Sequence, residues 1–186
     1  MLEHNTAYYE GNSSHLIDWD TVIQSLKNNT GKEIAATKNK KELVDNPEYS
    51  RLFELWESRG FNLSSAKWTN FYPGDDYSDT TIPLLEDYLK VHHIRSWISR
   101  IDPGYCTPWH WDIDNNINDY KKLGDLVRYS IHISKPDYGH AFLIGKTANY
   151  FCEQGDVYRW SDYDAWHGGF NCGVSPKYLL NFLSYI

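Results

Sequence analysis

The sequence predicts a mainly β protein with N-terminal helices, an α+β chain whose helices pack on a C-terminal antiparallel core of sandwich or closed-barrel type. Three observations carry that reading. After residue 93, short segments of alternating apolar and polar residues recur with turn signals between them. Before it, apolar residues fall at helical spacing. Aromatic residues make up 16% of the chain, including 15 Tyr and 8 Trp, and such rings pack well on pleated sheets.

At 186 residues the chain fits one domain, 1–186, because domains usually run to about 100–150 residues. Within it, 1–93 reads as helical support and 94–186 as the β core. No linker, fixed-period repeat or low-complexity tract interrupts it. The net charge of −7 is the wrong sign for gripping phosphate backbones, so nucleic acid is a poor partner. No apolar run approaches the ~20 residues that span a bilayer, and the start MLEHNTAYYEGNSSH lacks the basic and apolar stretches of a signal peptide. The expectation is a cytoplasmic protein without a membrane partner. Cys106, Cys152 and Cys172 are too few, and odd in number, for a secreted disulfide framework, so reduced thiols are expected.

The elements follow in order. Asp18 or Asp20 can cap a first helix carrying Val22, Ile23 and Leu26, ended by Asn28, Asn29 and Gly31. From Asn46-Pro47 a second helix places Leu52, Leu55, Trp56 and Arg59 at helical spacing, with Gly60 as its stop. KWTNFYPGDD reads as a strand entering a turn. A third helix is expected from Ile82-Pro83 to about His92, burying Leu84, Leu85, Tyr88 and Leu89. Then come the strand segments HIRSWISRI, LVRYSIHIS, HAFLIG, NYFCEQ, DVYRW and KYLLNFLSYI.

The chemistry concentrates in His110-Trp111-Asp112. On an extended strand, residues i and i+2 point to one side, so His110 and Asp112 can converge while Trp111 faces away. One imidazole and one carboxylate are two thirds of the 2-His-1-carboxylate facial triad, which leaves open positions on a non-haem Fe(II). His167, in AWHGGFN, is the natural third ligand. It lies 57 residues on, with two glycines behind it where backbone and metal must approach closely. An HxD triplet alone is a weak signal, and its weight comes from the distant histidine in a strand-rich half. His92 and His93 sit at a helix-to-strand junction, and His4 and His15 in an irregular leader, so they are poorer ligands.

Ser99-Arg100-Ile101-Asp102-Pro103-Gly104 followed by Thr107-Pro108-Trp109-His110 resembles the aspartyl/asparaginyl β-hydroxylase family of Fe(II)- and 2-oxoglutarate-dependent oxygenases. That family has a serine eleven residues before its first metal histidine and a Pro-Gly turn between them. An arginine-bearing strand follows, resembled here by VRYSIHISKP through Arg128. Its distal histidine is followed ten residues on by a basic residue, as His167 is followed by Lys177. The resemblance covers residues 94–186. It implies a double-stranded β-helix, a cupin-like jelly roll, with His110, Asp112 and His167 as iron ligands. It also implies that Lys177 pairs with the distal carboxylate of 2-oxoglutarate, helped by Ser99. Arg128 and Ser130 would lie near the cosubstrate's other carboxylate or the substrate. Two departures stand out: the family usually has Arg where this chain has Lys177, and the vertebrate enzyme that names it lacks the metal carboxylate that Asp112 supplies.

Read from the residues alone, Arg128, Ser130 and His132 share one strand face, opposite Val127, Tyr129, Ile131 and Ile133. That polar face lines either a pocket or the solvent side of an edge strand. Lys177 marks either an exposed strand end or a buried partner for a carboxylate, and Asn171 either contacts the cosubstrate or closes a turn. Three rivals to the iron site remain. One is a structural zinc site built from Cys106, His110, His167 and Cys172. Another keeps the fold in a non-catalytic cupin-like module that binds metal or a small ligand. The third is a cupin-like hydrolase or isomerase that uses a divalent ion as a Lewis acid. The leading expectation is a dioxygenase that hydroxylates a small molecule, amino acid or peptide side chain using O2 and 2-oxoglutarate.

Overall fold

In the computed structural model, the described residues are 6–29, 31–35, 47–60, 62–72, 77–112, 114 and 116–186, with the backbone alone at 47–49. The expected roles of His4, Asn46 and the turn at 73–76 fall outside them. Eleven strands are described: β1 (Ala7–Asn12), β2 (Lys32–Ala35), β3 (Lys67–Phe71), β4 (His92–Ile101), β5 (Cys106–His110), β6 (Leu126–His132), β7 (His140–Ile144), β8 (Thr147–Tyr150), β9 (Asp156–Trp160), β10 (His167–Asn171) and β11 (Lys177–Tyr185). The helices are α1 (Trp19–Leu26), α2 (Pro47–Ser58), α3 (Ser78–Leu89) and the single turn α4 (Ile117–Tyr120).

The strands form two antiparallel sheets, one ordered β1-β9-β6-β11-β4-β3-β2 and the other β5-β10-β7-β8. From β4 to β11 the chain winds alternately through both. β4, β11, β6 and β9 stand side by side in the larger sheet, and β5, β10, β7 and β8 make the smaller one. That is the winding of a double-stranded β-helix, the jelly roll expected above. β1, β2 and β3 extend the larger sheet at its two edges. β1 and β2 went unforeseen, since AYYEGN and KEIA are short and only partly buried, which leaves little period-2 signal.

The period-2 pattern of β6 is resolved by where each face goes. Val127, Tyr129, Ile131 and Ile133 share one core with Trp19, Val22 and Leu26 of α1 and Leu85 of α3. The two helices therefore cover the outside of the larger sheet. Arg128, Ser130 and His132 point the other way, between the sheets, and all three are buried. β6 lies between β9 and β11, so it is no edge strand.

The helices follow their caps with two corrections. Asp18 accepts the Thr21 N–H at 3.2 Å and opens α1 as expected. α3 begins at Ser78, four residues before the expected start, and carries Pro83 inside it, where the ring removes one hydrogen bond to Asp79. Its buried side is Thr81 and Leu85, whereas Leu84 is exposed, and so is Leu55 of α2. α2 packs Leu52, Phe53 and Trp56 on Ala66 and on the partly buried Trp111 and Trp166, at the mouth of the space between the sheets. Among the described residues no helix is long and apolar enough to cross a membrane.

Candidate metal centre

β5 ends and β10 begins at the same level, with His110 directly opposite His167 and their ring centroids 4.3 Å apart. The chain leaves β5 after His110, and two residues later Asp112 returns to the same side. Its Oδ1 lies 3.4 Å from His110 Nε2 and 3.7 Å from His167 Nε2. One ligand atom from each residue falls within 4.8 Å of the others, the one such group among the described residues. Trp111 turns aside, as expected, to pack on Trp166 with ring centroids 4.6 Å apart.

Both imidazoles are oriented from behind. His110 Nδ1 lies 2.6 Å from the carbonyl of Pro108, and His167 Nδ1 lies 3.0 Å from that of Ala165. A carbonyl only accepts, so Nδ1 donates in each ring and Nε2 is the nitrogen turned towards Asp112. Two Nε2 atoms and a carboxylate oxygen therefore converge. That donor set fits a divalent cation. Burial drives the His167 pKa well below the usual imidazole value, with the neighbouring His110 adding to it, so the ring stays neutral. Burial works the other way on Asp112, but the Arg128 guanidinium beside it outweighs that and holds the carboxyl well below the carboxylate range.

The triad opens into a cavity of about 530 Å³, of the size that takes a small ligand. The cavity is walled by Phe53, Trp56, Trp68, Trp97 and Trp111, and Lys177 and Ser99 line it as well. Lys177 is 2% exposed, so the strand-end alternative fails. Its Nζ donates to the Ala141 carbonyl and lies 5.2 Å from the centre of the Phe142 ring. Among the described residues no carboxylate reaches it, and burial drives its pKa down to about 7. The glycines after His167 make room here: a Cβ on Gly169 would stand 3.1 Å from Lys177 Nζ, and one on Gly168 3.0 Å from the Thr107 carbonyl. They admit the β5 backbone, the close approach expected of them, and also the lysine head.

The remaining expected residues separate. Ser99 donates to Asn70 Oδ1 at 2.8 Å and receives Asn181 Nδ2 at 3.3 Å. Arg128 lines the cavity too, but its Nη2 lies 2.5 Å from Asp112 Oδ2 and 3.4 Å from Asn181 Oδ1. Ser130 does not line the cavity; it is fully buried and accepts the indole N–H of Trp160 at 2.8 Å. Asn171 closes a turn, its Nδ2 bonding the Ile101 and Ser175 carbonyls at 2.8 Å each. Sequence reasoning missed Asn70, Asn181 and the ion pair of Arg95 with Asp114, 2.6 Å apart at the cavity wall. Asn181 left a signal, being the one polar residue inside the apolar run YLLNFL.

The zinc alternative fails on strand geometry. Cys106 and His110 stand at opposite ends of β5, and four residues of strand span about 13 Å. Cys106 lies opposite Phe170, its thiol faces the Ser65 carbonyl, and burial pushes its pKa up to about 11. All three cysteines are free thiols.

No family model matches the sequence, and no curated protein does. Solved structures of similar shape do exist. AviO1 from Streptomyces viridochromogenes is 15% identical over 98% of this chain and 90% of its own, with a TM-score of 0.47. A viral collagen prolyl hydroxylase from Paramecium bursaria Chlorella virus-1 is 16% identical over 74% of this chain and 83% of its own, at 0.44. A cupin domain from Bordetella pertussis is 10% identical over 51% of this chain and 84% of its own, at 0.36.

Proposed function

We propose that the chain is an Fe(II)- and 2-oxoglutarate-dependent dioxygenase that hydroxylates a small molecule, an amino acid or a peptide side chain. The observation that carries this reading is a two-histidine, one-carboxylate cluster lining a cavity that also holds a buried lysine, for which the described residues provide no counter-charge. His110, Asp112 and His167 would hold the metal on one face. Lys177 would take the distal carboxylate of 2-oxoglutarate, with Ser99 beside it on the neighbouring strand.

When bound, Fe(II) and 2-oxoglutarate supply oxidation of a substrate C–H bond by O2, with the cosubstrate decarboxylated to succinate and CO2. The protein's own share lies in orientation and exclusion. Pro108 and Ala165 fix the imidazole tautomers through their carbonyls. Phe142 and Trp160 pack against His167, with ring centroids 6.1 and 4.7 Å away, and keep water from that side. Trp56 is fixed at the mouth by its indole N–H on the Trp109 carbonyl at 2.8 Å, which sets the wall against which a substrate would lie.

The test is succinate formation from 2-oxoglutarate with Fe(II) and O2, followed by NMR without any added substrate. Slow turnover by the wild type, absent in His110→Ala and Asp112→Ala, is expected. Undiminished turnover in either variant contradicts the assignment. Metal uptake with no binding of 2-oxoglutarate would instead make the chain a non-catalytic metal-binding module.

A further inference from the structure

The two oxygens of Asp112 are placed differently. Oδ1 faces both Nε2 atoms, whereas Oδ2 is withdrawn from solvent and lies 2.5 Å from Arg128 Nη2. Arg128 is itself held tightly. It is 4% exposed, its guanidinium stacks 3.9 Å from the centre of the Trp160 ring, and Trp97 lies 5.2 Å away on another side. Trp160 in turn is pinned by its N–H to the Ser130 hydroxyl, and its ring also packs on His167. One indole therefore backs both the arginine on Asp112 and the imidazole opposite it.

We infer that Arg128 is a positioning residue for the metal centre: by taking Asp112 Oδ2 it makes the carboxylate meet a divalent metal through Oδ1 alone, with Trp160 and Ser130 locking the guanidinium in place. This rests on the metal reading above. A free carboxylate can bind a cation through both oxygens and so consume a further coordination position. A carboxylate with one oxygen held against a guanidinium favours binding through the other alone, which leaves that position to small ligands. Arginine suits the task better than lysine, since its planar head stacks on the indole face while its delocalised charge lies against the oxygen. On this account Ser130 serves the metal centre through Trp160, without touching cosubstrate or substrate.

The test is Co(II) binding to the purified full chain, read by calorimetry and by the visible d–d absorption. Wild type, Arg128→Gln, Arg128→Lys, Asp112→Ala and the double variant Arg128→Gln/Asp112→Ala are compared. Loss of such a partner to a ligating group typically weakens metal binding about 10- to 100-fold, and that is the expectation for Arg128→Gln. Its Co(II) bands should also weaken, because a carboxylate bound through both oxygens raises the coordination number. Arg128→Lys, which keeps the charge, should fall between it and the wild type, and it carries the test should Arg128→Gln not fold. In the Asp112→Ala background the arginine change should cost nothing more, because its effect runs through that carboxylate. Wild-type affinity and spectrum in both arginine variants would overturn the inference. So would an equal loss with and without Asp112, the mark of a merely structural arginine. A wild-type chain that takes up no Co(II) overturns the metal reading itself, a result distinct from either.

Discussion

Arg128 and Lys177 are both buried cations in the wall of one cavity, yet only the first has a carboxylate beside it. Arg128 stands 2.5 Å from Asp112, stacks on Trp160 and has an asparagine oxygen within reach, so its charge is matched inside the fold. Lys177 has a backbone carbonyl and an aromatic face, and among the described residues no anion. A buried ammonium without a counter-charge is unfavourable, and this lysine lines a cavity large enough for a small dianion. The difference separates a cation that completes the site from one that waits for a ligand.

The comparison breaks most easily at Arg128. Arg128→Met leaves the half-buried Asp112, its Oδ2 shut from solvent, without its cation, and truncating one partner of a fully buried pair costs about 3–5 kcal/mol, which sets the upper limit here. Chemical denaturation of the metal-free protein should show a loss within that limit. A change near zero would mean that the pair is solvated and the contrast with Lys177 false.

Lys177→Met should have the opposite sign on stability. It removes an uncompensated charge, so the thermal midpoint of the ligand-free protein should equal or exceed that of the wild type, while affinity for 2-oxoglutarate falls about 30-fold or more. A clear drop in the midpoint would show that the lysine holds the fold together and is not a waiting ligand group. The same residue gives a pH signature. Its pKa is about 7 in the folded chain, against 10.5 ordinarily, so between these values the unfolded chain binds the extra proton. Stability should then rise with pH from about 7 towards 10.5, and the rise should vanish in Lys177→Met. Identical profiles for the two proteins would contradict a neutralised lysine.

Ser130→Ala sharpens the Arg128 side and should be the smallest effect. It strands the buried Trp160 N–H, worth about 1–3 kcal/mol of stability, and should weaken Co(II) binding by less than Arg128→Gln does. Unchanged stability would show that the hydroxyl does not hold the indole.

How much of this was legible in the sequence depended on whether the signal was local. His110 and Asp112 are two residues apart on an extended segment, so their convergence follows from strand geometry. His167 needed only a partner strand at the same level. The alternation in VRYSIHIS was visible too, but not which face looked inward. A strand covered by helices on one side and by a polar cavity on the other has an apolar outer face, the reverse of an ordinary barrel wall. The contact of Arg128 with Asp112 and that of Ser130 with Trp160 join different strands or loops, and no spacing rule reaches across them. β1 and β2 were lost because short edge strands carry little pattern. The start of α3 was misplaced because Pro83, read as a first-turn residue, sits one turn further in.

One measurement bears on the central claim most directly: titration of 2-oxoglutarate into the protein with Mn(II) under anaerobic conditions, read by the fluorescence of the tryptophans that wall the cavity. The account predicts a saturable, single-site change that needs the metal and disappears in His167→Ala. A fluorescence trace that stays flat with Mn(II) present, or one that is the same in His167→Ala as in the wild type, would contradict it.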